Sequence, residues 1–232
     1  MRELLYLPII HSESDLGSLG SAIDRRSAFL YGEKWWAEHK KVVARFWKNA
    51  ADYLLSLDAT NLKIYQDGLA ADGELGRRIV EEAAKRGSVN HQILLKLMNK
   101  GAVVRKTEDP SLLIEEWKLA RESATGDISG HQEGSAQPRS TEKRDRFIAE
   151  AIDQTLREGE TAIILVGAYH NVGLYLPQDI TIAYLKDRDK VRAYFREFVS
   201  GSRTERFSQL ANYVASPISV APLNRSHNTE GS

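Results

Sequence analysis

Five short runs of apolar residues along the chain predict buried β-strands. Each run is continuous rather than alternating and is rich in Val, Ile, Leu or Tyr, and most are flanked by Gly, Asp or Asn. Continuous apolarity is typical of strands in a parallel sheet that is covered on both faces. The predicted strands are Leu4–Ile10, Leu62–Tyr65, Ala102–Arg105, Ala162–Val166 and Ile180–Leu185.

Stretches with helical periodicity separate the strands. In Glu33–Leu57, apolar residues recur at steps of three, four or seven and form one stripe. Pro110–Arg121 follows Asp109, which has the position of a helix N-cap. The other predicted helices are Gly73–Lys85, Val89–Asn99, Thr141–Arg157, Arg188–Val199 and Thr204–Val214. This alternation predicts an α/β fold, a mostly parallel sheet of about five strands covered by helices, with helical insertions.

The chain is predicted to form one domain with a short tail. Its 232 residues divide into a single α/β domain over residues 1–216 and a polar tail over residues 217–232. Residues 123–140 are rich in Gly, Ser and Gln and predict a mobile loop, either a disordered segment or a lid over a site. Leu4–Ile10 is too short for a signal peptide, and no run reaches the roughly 20 apolar residues of a membrane span, so a cytoplasmic location is expected.

Charge and cysteine content narrow the classes of function. The chain has 32 Lys plus Arg, 32 Asp plus Glu and no Cys. Without Cys there is no disulfide framework, zinc ribbon, iron–sulfur cluster or Cys nucleophile. Zero net charge gives no general attraction to nucleic acid or to an anionic membrane. A small-molecule or peptide substrate is therefore the expected partner, and the sequence leaves a homodimer open.

Each predicted strand is followed within four residues by a His or a carboxylate. Ligands of open parallel sheets bind outside the carboxyl ends of the strands, so these groups are expected to converge. Single Asp residues after strands are also common helix caps, and Asp109 and Asp187 are interpreted in that way. The residues that follow the five predicted strands, in chain order, are His11, Glu13 and Asp15; Asp67; Glu108 and Asp109; His170; and Asp187.

Convergent imidazoles and carboxylates favour a divalent transition metal such as Zn, Mn, Co or Fe. Such a metal polarises a carbonyl or phosphoryl oxygen and lowers the pKa of bound water. The same groups without a metal can serve as general acid and base. The predicted metal ligands, which also activate water, are His11, Glu13 and His170. Asp67 or Glu108 is expected to act as a base or as a further ligand.

The helix before the fourth strand carries a recognisable motif. Residues 143–156 read K-R-D-R-F-I-A-E-A-I-D-Q-T-L and lead into E-G-E-T-A-I-I-L-V-G-A-Y-H, which ends at His170. The pair Arg144-Asp145 is either a surface ion pair or places Arg144 on a substrate carboxylate or phosphate. The motif resembles the closing motif of the TIKI/TraB and ChaN-like superfamily, which also includes erythromycin esterase-like proteins. Pro8-Ile9-Ile10-His11 stands at the place of a second G-x-x-H-like element, with Pro8 replacing Gly.

The resemblance implies an α/β sheet with helical insertions and a site that contains His11, His170 and Arg144, joined by a carboxylate such as Glu13. Some members look like metal-dependent proteases, some act as esterases, and ChaN-like members bind haem. The leading hypothesis is a metal-dependent hydrolase of a peptide, ester or related bond. One alternative is a haem-binding protein that uses Tyr169 and His170. Another is a binder of a nucleotide-like ligand, or a phosphodiesterase, that uses the same crevice.

Overall fold

The computed structural model describes residues 1–12, 15, 20–109, 114 and 136–219, with the backbone alone at residues 20, 21, 23 and 136–140. The predicted helix Pro110–Arg121 lies outside the described residues except for Ile114. Residues 123–135 of the predicted loop and residues 220–232 of the predicted tail also lie outside them.

A five-stranded, all-parallel sheet forms the centre of the fold. The strands are β1 (Arg2–Ile9), β2 (Lys63–Gln66), β3 (Val103–Arg105), β4 (Thr161–Gly167) and β5 (Ile180–Tyr184), and their spatial order is β3-β2-β4-β1-β5. The predicted α/β fold with a parallel sheet is confirmed. In this order the carboxyl ends of β2, β4 and β1 lie next to one another.

Seven α-helices lie in the part of the chain that the structure describes. They are α1 (Gly20–Tyr31), α2 (Glu33–Leu54), α3 (Gly73–Lys85), α4 (Val89–Asn99), α5 (Ala136–Thr155), α6 (Arg188–Val199) and α7 (Glu205–Val214). A 3₁₀ turn, Val172–Leu174, follows β4. Asp187 caps α6, because its Oδ1 accepts hydrogen bonds from the backbone N–H groups of Asp189 at 2.9 Å and Lys190 at 3.1 Å.

The two faces of the sheet pack against different helices. Alternate residues of each strand point to opposite faces, so Leu5 and Leu7 of β1 join one core cluster while Leu4 and Tyr6 join the other. The first cluster is closed by apolar residues from α2, α3, α4, α6 and α7. The second is closed by the buried stripe of α5, which consists of Ile148, Ala149 and Ile152 and continues to Leu156. Burial of one such large aliphatic side chain contributes about 1.5–3 kcal/mol.

A missed helix and two shifted helix ends are the largest differences from the sequence-based expectation. Helix α1 was not predicted, because its polar residues mask the periodicity. Helix α2 ends at Leu54 rather than Leu57. Helix α5 begins at Ala136 rather than Thr141, so its first turn occupies the end of the segment predicted as a loop.

His39 is a buried histidine in an aromatic cluster between α2 and α6. Its Nδ1 is 2.8 Å from the Tyr194 hydroxyl, and its ring stacks on Phe198 at a centroid distance of 4.1 Å. Burial lowers the pKa of His39 from 6.5 to about 4, because the cluster offers the charged imidazolium no carboxylate. The folded protein therefore holds His39 in its neutral form.

This burial predicts a loss of stability in acid. Between pH 6.5 and about 4 the unfolded chain binds a proton at His39 that the folded chain does not bind. The contribution of His39 to the free energy of unfolding is therefore fully present above pH 6.5. It falls by up to about 3 kcal/mol as the pH approaches 4. Urea denaturation across this range should show a smaller fall for His39→Gln than for the wild type. Parallel curves for the two proteins would contradict the prediction.

Candidate functional site

Three side chains meet at the carboxyl edge of the sheet, in the segments that follow β1, β2 and β4. His11 Nε2 and His170 Nε2 each lie 3.6 Å from the same oxygen atom, Oδ2 of Asp67. Asp67 and His170 are almost fully buried, whereas the His11 side chain is 39% exposed. The structure thus brings these three predicted site residues together, with His11 at the rim and His170 deeper.

Gly167 forms the floor between these three side chains. A Cβ atom at this position would lie 3.4 Å from His11 Nε2, 3.6 Å from Asp67 Oδ2 and 3.6 Å from His170 Cδ2. The backbone N–H of Gly167 also donates to Asp67 Oδ2 at 3.2 Å. A larger side chain would fill the space where the two imidazoles and the carboxylate converge. These are ordinary van der Waals distances, so an alanine would also fit at this position of the G-x-x-H element, and only a longer side chain would enter that space.

Asp145 fixes the orientation of the His170 ring. Its Oδ1 is 2.6 Å from His170 Nδ1, and its Oδ2 accepts the backbone N–H of Asn171 at 2.7 Å. A carboxylate oxygen accepts hydrogen bonds and does not donate them. His170 Nδ1 therefore carries a hydrogen and donates this hydrogen bond to Asp145. The other ring nitrogen, Nε2, then faces Asp67. A surface ion pair was one of the two interpretations of Arg144-Asp145, and the structure contradicts it, because the Asp145 side chain is 5% exposed and contacts His170.

Arg144 joins two buried carboxylates. One Nη2 hydrogen bond reaches Asp67 Oδ1 at 2.6 Å, and Nε lies 3.0 Å and 3.1 Å from the two oxygens of Glu108. A second contact of Nη2 reaches Glu108 Oε1. The guanidinium is therefore committed to protein carboxylates, which differs from the predicted role of Arg144 in binding a substrate anion. Glu108 pairs with Arg144 and its side chain is 1% exposed, and its role as base or metal ligand stays a prediction.

The two carboxylates are held in different electrostatic environments. Burial alone would raise the pKa of Asp67, but His11, His170 and Arg144 outweigh burial and hold this pKa well below its usual range. Burial raises the pKa of Glu108, assisted by the negative charge of Asp67 and opposed by Arg144. Asp67 is thus the carboxylate that stays ionised between the two imidazoles.

Both imidazoles are shifted toward their protonated forms. Burial opposes the charge on His170, yet the hydrogen bond to Asp145 and the negative charge of Asp67 raise its pKa above 6.5. Desolvation lowers the pKa of His11. The hydrogen bond and charge of Asp67 and the charge of Asp15 outweigh this effect and raise the pKa above 6.5. The positive charge of His170 lowers the pKa of His11, so one carboxylate between two imidazoles favours one imidazolium over two.

A hydrogen-bonded cluster from α4 holds the chain just after His11. Asp15 Oδ2 accepts hydrogen bonds from Ser12 N at 2.7 Å and Ser12 Oγ at 2.9 Å, and Asp15 Oδ1 accepts from Ser88 Oγ. Ser88 is fully buried, caps α4 and lies 2.7 Å from His91 Nδ1. Sequence analysis missed Ser88 and His91 as supports of the site. The only local signal was Ser88 directly before a helix, which indicates a cap and not a link to β1.

The predicted haem and nucleotide contacts are untested. Tyr169 is 54% exposed and its ring packs edge-on against Phe195, while His170 Nδ1 is occupied by Asp145. Most of the Gly17–Gly20 turn lies outside the described residues. Both ligand-binding alternatives therefore stay predictions.

The described residues alone do not form a metal site. Across residues 1–12, 15, 20–109, 114 and 136–219, no group of three or more His, Asp or Glu side chains is arranged to hold a metal ion. The Asp67 oxygens already accept hydrogen bonds from Arg144 and the N–H of Gly167. Glu13, the third predicted ligand, lies outside the described residues. The metal therefore stays a prediction that depends on Glu13.

Comparisons with family models, with curated proteins and with solved structures gave no match to this chain. The resemblance to the TIKI/TraB and ChaN-like superfamily accordingly stays a prediction. Among the helices that the structure describes, none has the length and apolarity needed to cross a membrane.

Proposed function

We propose that this protein is a hydrolase that cleaves an ester, peptide or related bond by proton transfer at His11 and His170. The observation that carries the proposal is the convergence of both Nε2 atoms on Asp67 Oδ2, each at 3.6 Å, above the bare floor of Gly167. Paired groups that exchange protons are the requirement of acid–base hydrolysis.

The two imidazoles have different starting states in this proposal. His170 lies between the carboxylates of Asp145 and Asp67, so its protonated form is favoured and it acts as the general acid. His11 contacts one of these carboxylates and is partly exposed, so it acts as the general base toward water that enters from solvent. The difference in surroundings assigns the two roles.

The proposed reaction balances its protons. His11 takes a proton from water as the water oxygen bonds to the carbonyl carbon of the substrate. His170 gives its Nε2 proton to the departing oxygen or nitrogen as the bond to the carbonyl carbon breaks. Asp67 stabilises the charge that passes from one imidazole to the other, and exchange with solvent restores the starting protonation. Arg144 contributes by keeping Asp67 ionised and fixed.

Metal dependence is the other form of this proposal. It requires Glu13 to join His11 and His170 as a ligand, with the metal polarising the carbonyl and lowering the pKa of bound water. Metal analysis of protein purified without chelator separates the two forms. The acid–base form predicts activity without stoichiometric metal, and the metal form predicts activity that a chelator removes and a divalent ion restores.

The proposal predicts a defined loss on substitution of His11. With 4-nitrophenyl butyrate as the probe, His11→Ala is expected to lower kcat/KM about 10²-fold, because a general base contributes at least this much. The fold should persist, since His11 is at the rim. His39→Gln removes a buried imidazole outside the site and should keep wild-type kcat/KM at pH 7.5. Wild-type activity in His11→Ala would show that the proposed site is wrong.

A further inference from the structure

The start of α6 contacts the turn that carries His170. Strand β1 lies between β4 and β5 in the sheet, so the chain after β1 lies between the turn that carries His170 and the start of α6. Arg188 and Arg192 are four residues apart on α6 and therefore share one face of this helix. Because Arg144 is committed to Asp67 and Glu108, these two arginines are candidates for contact with a substrate anion.

Arg188 is fixed against the turn that carries His170. Its Nη1 donates to the carbonyl oxygen of His170 at 3.4 Å and contacts Oδ1 of Asn171. Its side chain is 19% exposed, so part of the guanidinium faces solvent beside the catalytic turn. Arg188 thus places a rigid positive charge next to the residue that we assign as general acid.

Arg192 lies over the exposed ring of Tyr169. The guanidinium carbon is 5.2 Å from the ring centroid, and Phe195 supports the ring from one edge at a centroid distance of 6.4 Å. Stacking on an aromatic face orders a guanidinium while leaving its N–H edge free to bind a carboxylate in two hydrogen bonds. Tyr169 directly precedes His170, so this arrangement is one residue from the general acid.

The local charge matches a monoanion. Asp189 lies 3.6 Å from Arg188 Nη2 and 3.8 Å from Arg192 Nη1, so it offsets one of the two positive charges. The backbone N–H groups at the start of α6 are already taken by Asp187, so the arginine side chains supply the donors. One net positive charge suits a carboxylate better than a phosphate dianion.

We propose that Arg188, Arg192 and Tyr169 form a subsite for a carboxylate of the substrate, so that the enzyme prefers esters or amides with an anionic acyl group. This inference rests on the proposed hydrolase function. Arg192 would bind the carboxylate, and Tyr169 would contact the carbon chain that connects it to the scissile bond. Arg188 would hold the turn that carries His170 and attract the substrate carboxylate by its positive charge.

Two matched esters test the proposal. 4-Nitrophenyl butyrate and mono-4-nitrophenyl succinate have acyl groups of four carbons and differ by the terminal carboxylate. The wild type is expected to show a higher kcat/KM for the succinate ester. Arg192→Gln should lower the ratio of the two kcat/KM values about tenfold, because a charge-assisted hydrogen bond pair is lost. Arg192→Lys should keep part of the preference.

Arg196→Gln is the matched control, because it removes one positive charge one turn further along α6. It should leave the ratio at the wild-type value. The same ratio in Arg192→Gln and the wild type would overturn the subsite, and so would an equal fall in both variants, which would indicate a general charge effect.

Direct binding separates failure of the subsite from failure of the hydrolase proposal. Monomethyl succinate and methyl butyrate, which lack the nitrophenyl group, can be titrated into the full chain and followed by NMR. Selective binding of monomethyl succinate that Arg192→Gln abolishes supports the subsite even if neither nitrophenyl ester is cleaved. Absence of selective binding by the wild type overturns it, whatever the activity.

Discussion

Asp145→Asn is expected to lower kcat/KM about 10³-fold toward methyl butyrate, whose methoxide leaving group must be protonated, while leaving the fold intact. The wild-type carboxylate accepts two hydrogen bonds, one from His170 Nδ1 at 2.6 Å and one from the backbone N–H of Asn171 at 2.7 Å. An asparagine amide offers one acceptor oxygen and one donor NH₂. It therefore cannot serve both donors.

The backbone N–H of Asn171 decides which of the two donors keeps the single acceptor oxygen of the asparagine amide. The N–H of Asn171 can only donate, so the amide oxygen is expected to turn toward it. The NH₂ group then faces His170 Nδ1, which must give up its proton and become an acceptor. His170 loses both the negative charge that stabilises its imidazolium and its role as proton donor. Steady-state kinetics over a range of pH measures the loss.

Asp153→Asn supplies the matched control on the same helix. Asp153 lies two turns beyond Asp145 on α5 and pairs with Arg2 at the opposite edge of the sheet, at 2.8 Å. The same chemical change there should leave kcat/KM at the wild-type value. His170→Gln is expected to lose at least as much activity as Asp145→Asn. Equal activity of Asp145→Asn and Asp153→Asn would remove His170 from the proposed mechanism.

Arg144→Met is expected to destabilise the fold by about 3–5 kcal/mol. The substitution keeps much of the side-chain volume but leaves Asp67 and Glu108, which are 8% and 1% exposed, without their shared cation. Two neighbouring buried carboxylates then repel each other, and each has lost a charged donor. Urea denaturation at pH 7 measures the change in the free energy of unfolding.

Two comparisons isolate the buried network. Arg146→Met, two residues along α5, breaks an exposed pair with Glu142 at 2.9 Å and should cost less than about 1 kcal/mol. The double variant Arg144→Met/Glu108→Gln should be more stable than Arg144→Met alone, because one unpaired charge is removed. Similar losses for Arg144→Met and Arg146→Met would show that the network contributes no more than a surface pair.

The strands could be predicted from the sequence because a strand buried on both faces must be apolar at every position. This holds for Leu4, Ile164 and their neighbours, which are almost fully buried in the two core clusters. Helix α1 escaped prediction because burial does not impose a clear stripe on it, and Phe29 and Leu30 are exposed. Helix boundaries such as Ala136 depend on capping and neighbours more than on periodicity.

The candidate site likewise has residues that could be predicted from the sequence and contacts that could not. His11, Asp67 and His170 could be predicted, because each follows a strand within three residues and parallel strands present their carboxyl ends at one edge. The partners of the charged residues could not be predicted. Arg144 and Asp145 are adjacent in sequence, yet successive helix positions point in different directions, so one binds Glu108 and the other binds His170.

The sequence by itself determined the parallel α/β fold and which residues would lie at the carboxyl edge, since both follow from local apolarity and strand direction. Only the tertiary structure decided which charges meet: that Arg144 is bound by carboxylates, that Asp145 orients His170, and that Gly167 leaves space between the imidazoles. The physical reason is that burial and pairing energies depend on distances of a few ångströms between residues far apart in the chain, such as Asp67 and Arg144 at 2.6 Å.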